Sequence, residues 1–394
     1  MTHGMANRMK NGMRHAFVFI EVFGCEGGIQ SYIQDVLGAY EQLGDQHQGT
    51  SKALNADVFL LRDPETDHPL KGGNLTYRYF KSSHESGGQR GGQMSERIRL
   101  TLSLAAYLIR HRPDHVYCGH INLAAMVSQL CRAVKIPYTV LTYGKEVWYE
   151  LAEREKKALA AADRIWTISR YSRDLAHAAN QVPKEKFDML PCVVDGDVFT
   201  PGEAPAELIE RYQLHDSRVL TTVARLWAGD IYKGVDVTIR ALPKIASAFP
   251  SVKYVIIGRG DDQPRLAKLA EDLGVADQVV FAGFVPDEDL IDHYRLADVY
   301  VMPSKEGFGI VYLEAMACGI PVIAGDDDGS ADPVQDGRVG WQVPHRDPEA
   351  VATACIEALG GKDQRCDGNW LRQESLASFS APALVSQLGK LLKI

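Results

Sequence analysis

The chain has 394 residues, 45% apolar and 24% charged, which is the balance of a soluble globular protein and too much length for one ordinary core, so two domains are expected. A formal charge of −8 argues against nucleic acid as the main partner, because phosphate-binding surfaces are usually strongly basic; a local basic pocket for a small anion is still allowed. The seven cysteines are scattered and form no C-x-x-C pair, which suits reduced thiols in a cytoplasmic protein better than a disulfide framework or a zinc site.

In chain order, residues 1–14 read as a loose leader, and the apolar run Ala16–Phe23 as the first strand. That run is too short to span a membrane and, carrying Glu21, too polar for a signal-peptide core. Gly24–Gly28 breaks it. Ile29, Tyr32, Ile33, Val36, Leu37, Tyr40 and Leu43 then recur at helical spacing. Further strands are expected at Asp57–Leu61, Leu75–Phe80, Val116–Cys118, Tyr138–Thr142 and Ile165–Ile168, with a mobile Gly/Ser/Gln-rich loop at Lys81–Gly92. A second series follows at Val219–Ala224, Tyr254–Ile257, Val279–Ala282, Val299–Met302 and Val322–Ala324. Helices are expected between them at Val235–Phe249, Pro264–Leu273, Asp287–Leu296 and Ile310–Cys318. Such alternation predicts an α/β protein with two doubly wound, Rossmann-like domains facing a cleft. The Pro/Gly/acidic stretch Pro191–Pro205 marks the join: residues 1–194 form the first domain, 195–376 the second, and 377–394 a helix crossing back to the first. Ligands of such sheets bind beyond the carboxyl ends of the strands.

The most informative run is Val299–Ala324, VYVMPSKEGFGIVYLEAMACGIPVIA. A strand ends near Ser304, and a loop carries Glu306, Gly307, Phe308 and Gly309. A helix starts near Ile310 and stops at Gly319, before Pro321. Glycines let this loop come close to a ligand, and the N–H groups opening the helix favour an anion such as a diphosphate. Glu306 and Glu314 could present two carboxylates to hydroxyls of one molecule, one holding a sugar and the other a ribose. Solvated surface glutamates are the plain alternative, less comfortable for Glu314 in a helix apolar almost all round.

A second element is Thr222–Gly234, TVARLWAGDIYKG. Arg225 ends a strand and Lys233 opens the next helix, so two cations could converge on one phosphate-rich ligand. Gly27 and Gly28 stand directly before the first helix, as an ordinary turn or as a loop open to a ligand. Gly258-x-Gly260 is a weak dinucleotide signal, because Asp262 and Gln263 stand where a third glycine belongs.

The segment EGFGIVYLEAMACGIPVIA closely resembles the E-x7-E signature of the retaining glycosyltransferase family 4, whose two-domain architecture is called GT-B. The resemblance covers nearly the whole chain in the expected order. It implies that Arg225 and Lys233 bind a donor diphosphate and that Gly27-Gly28 is the family's N-terminal glycine loop. Loops around Gly258 and Phe284-Val285 would touch the nucleobase, and His120 would contact donor or acceptor. Glu306, Gly307, Phe308, Gly309, Ile310 and Glu314 would line the donor. Two segments depart from the pattern: Tyr143 stands where many members carry a sugar-contacting histidine, and Leu190–Asp195 replaces Pro-Asn-Gly-Val-Asp.

The implied activity is retaining transfer of a hexose from a UDP- or GDP-sugar to a saccharide, lipid-linked or small-molecule acceptor, forming an α-glycosidic bond. No cofactor or metal is required, with Glu306, Arg225, Lys233 and His120 as the catalytic set. Asp326-Asp327-Asp328 looks like a metal-binding D-x-D but belongs to a different architecture. A non-catalytic nucleotide-sugar sensor of the same fold is the alternative. A phosphorylase or epimerase and a nicotinamide dehydrogenase are disfavoured, for lack of a pyridoxal-phosphate lysine context and of a full glycine fingerprint. Arg97–Arg112 is apolar with arginines at both ends. It would suit a face resting on anionic lipid at the inner side of a membrane, although a packed helix with polar ends is the plainer reading.

Overall fold

The computed structural model describes residues 12–394 apart from 26, 66, 67, 69, 71, 72 and 82–88, and the side chains of 89–93 are likewise outside the description. Most of the expected leader and loop therefore lie outside the described residues. The chain divides into two compact units, the first made of residues up to Pro191 together with Leu384–Ile394, the second of Cys192–Ala383.

The first unit is a seven-stranded sheet in the order β3-β2-β1-β4-β5-β6-β7. Its strands are β1 Met13–Phe19, β2 Leu54–Leu60, β3 Leu75–Tyr79, β4 His115–Cys118, β5 Tyr138–Thr142, β6 Arg164–Thr167 and β7 Phe187–Met189. Every neighbouring pair is parallel, so connecting helices cover the faces and the strands read as apolar runs. β1 begins earlier than its apolar run suggests, because Met13 and Arg14 already pair with Leu54 and Asn55. The polar His15 is buried there, its Nδ1 2.9 Å from the Tyr40 hydroxyl.

The second unit is a six-stranded sheet, β10-β9-β8-β11-β12-β13. It contains β8 Arg218–Val223, β9 Val252–Ile257, β10 Val279–Gly283, β11 Val299–Met302, β12 Val322–Gly325 and β13 Trp341–Val343. Its helices Val235–Ala248, Gln263–Asp272, Asp287–Tyr294 and Ile310–Ala317 lie within a residue or two of the sequence expectation. The short strands β7 and β13 were not expected.

In each sheet the strand order reverses beside the first strand of the unit, between β1 and β4 and between β8 and β11. The loops leaving those strands include Val22 and Gly119 in the first unit, and Ala224 and Pro303 in the second. They stand at the topological switch points, where open α/β sheets bind ligands.

Candidate active site

In the second unit the run after β11 folds as a clamped loop. The backbone N–H of Glu306 donates to Asp328 Oδ2 at 2.5 Å, and the N–H of Gly329 donates to the Glu306 carbonyl at 2.8 Å. A side chain on Gly329 would place its Cβ 2.0 Å from the Gly307 carbonyl oxygen, so only glycine allows this closeness. Gly309 caps the helix Ile310–Ala317 at φ 90°, a left-handed conformation that costs an L side chain about 1–2 kcal/mol. Phe308 is buried, edge-on to Phe379 with ring centroids 5.7 Å apart. The result is a fixed loop whose first helical N–H groups have no intrahelical acceptor.

Lys233 and Glu306 are brought together as a direct ion pair, Nζ to Oε1, with both side chains mostly buried. The lysine is placed by the turn beneath it. Gly234 is left-handed, a Cβ there would meet the Pro303 carbonyl oxygen at 2.5 Å, and Lys305 N–H donates to the Tyr232 carbonyl at 3.0 Å. Arg225 does not join this pair. It lies 3.0 Å from Asp230 and over the Trp227 ring at 4.5 Å, with 58% of its side chain exposed, so it is a cation stacked on an indole and open to solvent.

Glu314 is also apart from Glu306 in its bonding. Tyr294 OH donates to its Oε2 at 2.6 Å, and burial pushes its carboxyl up to about 7. The loops after β8, β9 and β10 interlock through glycine: a Cβ on Gly258 would stand 1.9 Å from the Ala224 carbonyl oxygen, and one on Gly260 2.0 Å from that of Leu226. Phe284 projects beside Val285 with 61% of its surface exposed, and Arg259 lies 4.7 Å above its ring. It is a flat apolar platform at the carboxyl end of β10.

In the first unit Asp63 organises the loop after β1, its buried carboxylate accepting the N–H groups of Val22 at 2.8 Å, Phe23 at 2.6 Å and Gly24 at 2.7 Å. Gly27 caps the helix Gly28–Gln46, and nothing stands within 4 Å of a Cβ built on Gly28. His120 caps the helix Ile121–Val134, its Nδ1 accepting the Asn122 N–H at 3.1 Å. That bond leaves the imidazole proton on Nε2, and burial lowers the ring's pKa, favouring the neutral form.

Residues 27–193 match the family model described as glycosyl transferase 4-like domain, and residues 207–367 match glycosyl transferases group 1. A Corynebacterium glutamicum protein named GDP-mannose-dependent monoacylated alpha-(1-6)-phosphatidylinositol monomannoside mannosyltransferase is 31% identical over 364 residues, 84% of this chain and 85% of that protein. The chain belongs to glycosyltransferase family 4. A second relative of this glycosyltransferase, the Mycolicibacterium smegmatis GDP-mannose-dependent alpha-(1-6)-phosphatidylinositol monomannoside mannosyltransferase, is 37% identical over 263 residues, covering 63% of this chain and 68% of the relative. Among solved structures, Anabaena HepE in complex with UDP superposes with a TM-score of 0.73 at 17% identity, covering 97% of this chain and all of that one. That likeness establishes the GT-B type of fold.

The geometry bears on three residues or pairs of this glycosyltransferase. Tyr143 is not free to donate to a sugar, since its buried hydroxyl donates to the Gly119 carbonyl at 2.6 Å. Arg225 and Lys233 are held by different carboxylates, Asp230 and Glu306. Asp328, set aside above as a metal ligand, is buried and holds the Glu306 N–H, and burial raises its carboxyl to about 6. Among the described residues no three His, Cys, Asp or Glu side chains cluster as metal ligands. Asp63 and Asp328 were missed as site-builders, although Asp328-x-Ser330 is a readable cap, with Ser330 N–H donating to Asp328 Oδ1 at 2.9 Å.

Proposed function

We propose that this glycosyltransferase moves mannose from GDP-mannose onto a mannosylated phosphatidylinositol, with retention of configuration and without a metal. The donor and acceptor classes are supported by the names of the two mannosyltransferase relatives, and the donor chemistry by one observation, the Lys233–Glu306 pair beside the N-terminus of Ile310–Ala317. Glu306 accepts hydrogen bonds from sugar hydroxyls. Lys233, freed from part of its pairing when the donor arrives, faces the phosphate, and the N–H groups at Gly309 and Ile310 add fixed positive dipoles.

The bond between mannose C1 and the phosphate oxygen breaks, and the negative charge that develops on the departing diphosphate is what these groups stabilise. The acceptor hydroxyl oxygen bonds to C1 from the same face, and its proton passes to a phosphate oxygen of the leaving group. An α-linked donor then yields an α-linked product. Glu314 holds the ribose in this reading, and the Phe284 platform stacks the base. The test is calorimetry with GDP-mannose and UDP-glucose, followed by transfer of labelled mannose to phosphatidylinositol monomannoside and α-mannosidase digestion of the product. Preference for UDP-glucose, or a product resistant to α-mannosidase, overturns the proposal.

A further inference from the structure

After β13 the turn Pro344–Asp347 leads into the helix Pro348–Leu359, which Asp347 caps by accepting the N–H groups of Glu349 and Ala350. Within this turn Arg346 is left-handed, at φ 67°. A β-carbon is disfavoured in that conformation, and glycine adopts it without strain. The presence of arginine is therefore explained by what its guanidinium reaches, not by the turn itself. Nη1 donates to Asp236 Oδ1 at 2.6 Å and Nη2 to Oδ2 at 2.5 Å, a bidentate fork onto a carboxylate that is only 2% exposed. Nη1 also faces the Ile231 carbonyl at 3.5 Å, the outer limit of a hydrogen bond.

Ile231 and Asp236 stand on either side of Lys233, two residues before it and three after. One guanidinium thus ties both ends of the turn that presents the lysine. The neighbouring His345 reaches the other loop. Its ring faces the Pro303 carbonyl, three residues before Glu306 and the same carbonyl against which Gly234 is packed. The His345 Nδ1 is buried and has no hydrogen-bond partner among the described residues, so the contact with Pro303 is what holds the ring. Two adjacent side chains therefore grip the two loops that carry the Lys233–Glu306 pair, one loop each. Stability alone does not account for them, because an apolar contact would hold a buried turn as well as a desolvated ion pair does. A planar fork on a buried carboxylate adds a fixed orientation.

We propose that His345 and Arg346 are positioning residues that orient Lys233 against Glu306, so that the lysine amine meets the phosphate of the donor. The proposal rests on the assignment of that pair to the donor site. The experiment compares Arg346→Gly, Arg346→Lys and the double variant Arg346→Gly with Asp236→Asn. Glycine removes the backbone strain together with the side chain, and asparagine removes the buried charge that Arg346→Gly alone would orphan. The melting temperature is expected to fall in Arg346→Gly and to return towards wild type in the double variant. In both, kcat for nucleotide release from GDP-mannose is expected to stay at least about tenfold low, with GDP affinity by calorimetry within about threefold of wild type. Arg346→Lys, which keeps the charge but not the fork, falls between. His345→Ala lowers kcat, and His345→Gln, whose amide can still donate to the Pro303 carbonyl, recovers most of it.

A second readout needs no donor. A pulse of acetic anhydride followed by mass spectrometry reports the freedom of the Lys233 amine, whose side chain is 18% exposed, against Lys157 at 80% as an internal reference. Relative labelling of Lys233 is expected to rise severalfold in Arg346→Gly and in the double variant. The proposal is overturned if kcat recovers along with melting temperature in the double variant, if Lys233 labels equally in wild type and Arg346→Gly, or if His345→Gln is as impaired as His345→Ala. A wild-type enzyme that leaves GDP-mannose untouched, with Lys233 labelling still raised in Arg346→Gly, overturns the donor reading and upholds the positioning.

Discussion

Asp328 and Glu306 are joined through the backbone: the Asp328 carboxylate takes the Glu306 N–H at 2.5 Å, across 22 residues of sequence. The residue assigned to the sugar is thus anchored through its backbone by a buried carboxylate. Asp328→Ala leaves that N–H and the Ser330 N–H without an acceptor, a loss of about 1–3 kcal/mol by the usual cost of an orphaned buried donor. Thermal denaturation should register this loss, and kcat should fall more than nucleotide affinity does. Unchanged kcat in a stable Asp328→Ala enzyme would sink the positioning role.

Lys233→Ala is expected to reduce transfer by a factor on the order of 10²–10³, the usual consequence of removing one preorganised charge from a developing anion. Glu306→Ala is expected to abolish transfer. Both proteins should remain folded by circular dichroism, and turnover near the wild-type rate in either removes the pair from the mechanism.

Glycine substitutions separate fold from ligand. Gly309→Ala forces a left-handed residue whose Cβ sits 2.5 Å from the Tyr312 ring, so it should lower the melting temperature and activity together. Gly28→Ala enters open space and should leave stability unchanged or raise it by a few tenths of a kcal/mol. A rise in KM at unchanged melting temperature then reports a ligand approaching that loop, whereas an unchanged KM removes Gly28 from the site.

The Tyr143 hydroxyl bonds to the Gly119 carbonyl. Tyr143→Phe therefore costs about 1 kcal/mol of stability while transfer stays within about twofold, as expected of a hydroxyl without a catalytic part. A drop of a hundredfold or more would restore the phenol as a substrate contact.

Burial lowers His15 to about 3 and His115 to about 4. Both are neutral in the native first unit, while in the unfolded chain they take up protons from about pH 6.5 downward. Their contribution to stability is therefore full above that value and is lost as pH falls from 6.5 towards 4 and 3. Urea denaturation at about pH 7.5 and pH 5.5 should show the loss, and His15→Gln with His115→Gln should flatten it. An equal slope in the double variant would place the acid sensitivity elsewhere.

Much of the architecture was legible because parallel strands covered on both faces are apolar runs, and the runs at Tyr138–Thr142 and Val299–Met302 match strand for strand. Phe187–Met189 and Trp341–Val343 are three residues each at sheet edges, too short to carry a period. In the site, Glu306, Lys233 and Gly309 announced themselves by local chemistry. Asp63 did not, because it acts on a loop 39 to 41 residues away, and nothing near it in sequence says so. The bonding of Tyr143 was hidden for the same reason, its acceptor being 24 residues upstream.

The last turn of the chain closes the first unit. Leu384 and Leu388 are buried, Gln387 Nε2 donates to the Met189 carbonyl at 3.1 Å, and a Cβ on Gly389 would lie 3.5 Å from Leu43. During synthesis the first 191 residues leave the ribosome long before the segment that completes their core exists. The second unit, continuous in sequence, can finish folding while the first still waits with an apolar surface open. Deleting Leu384–Ile394 should therefore injure the amino-terminal half of the protein more than the half it was cut from.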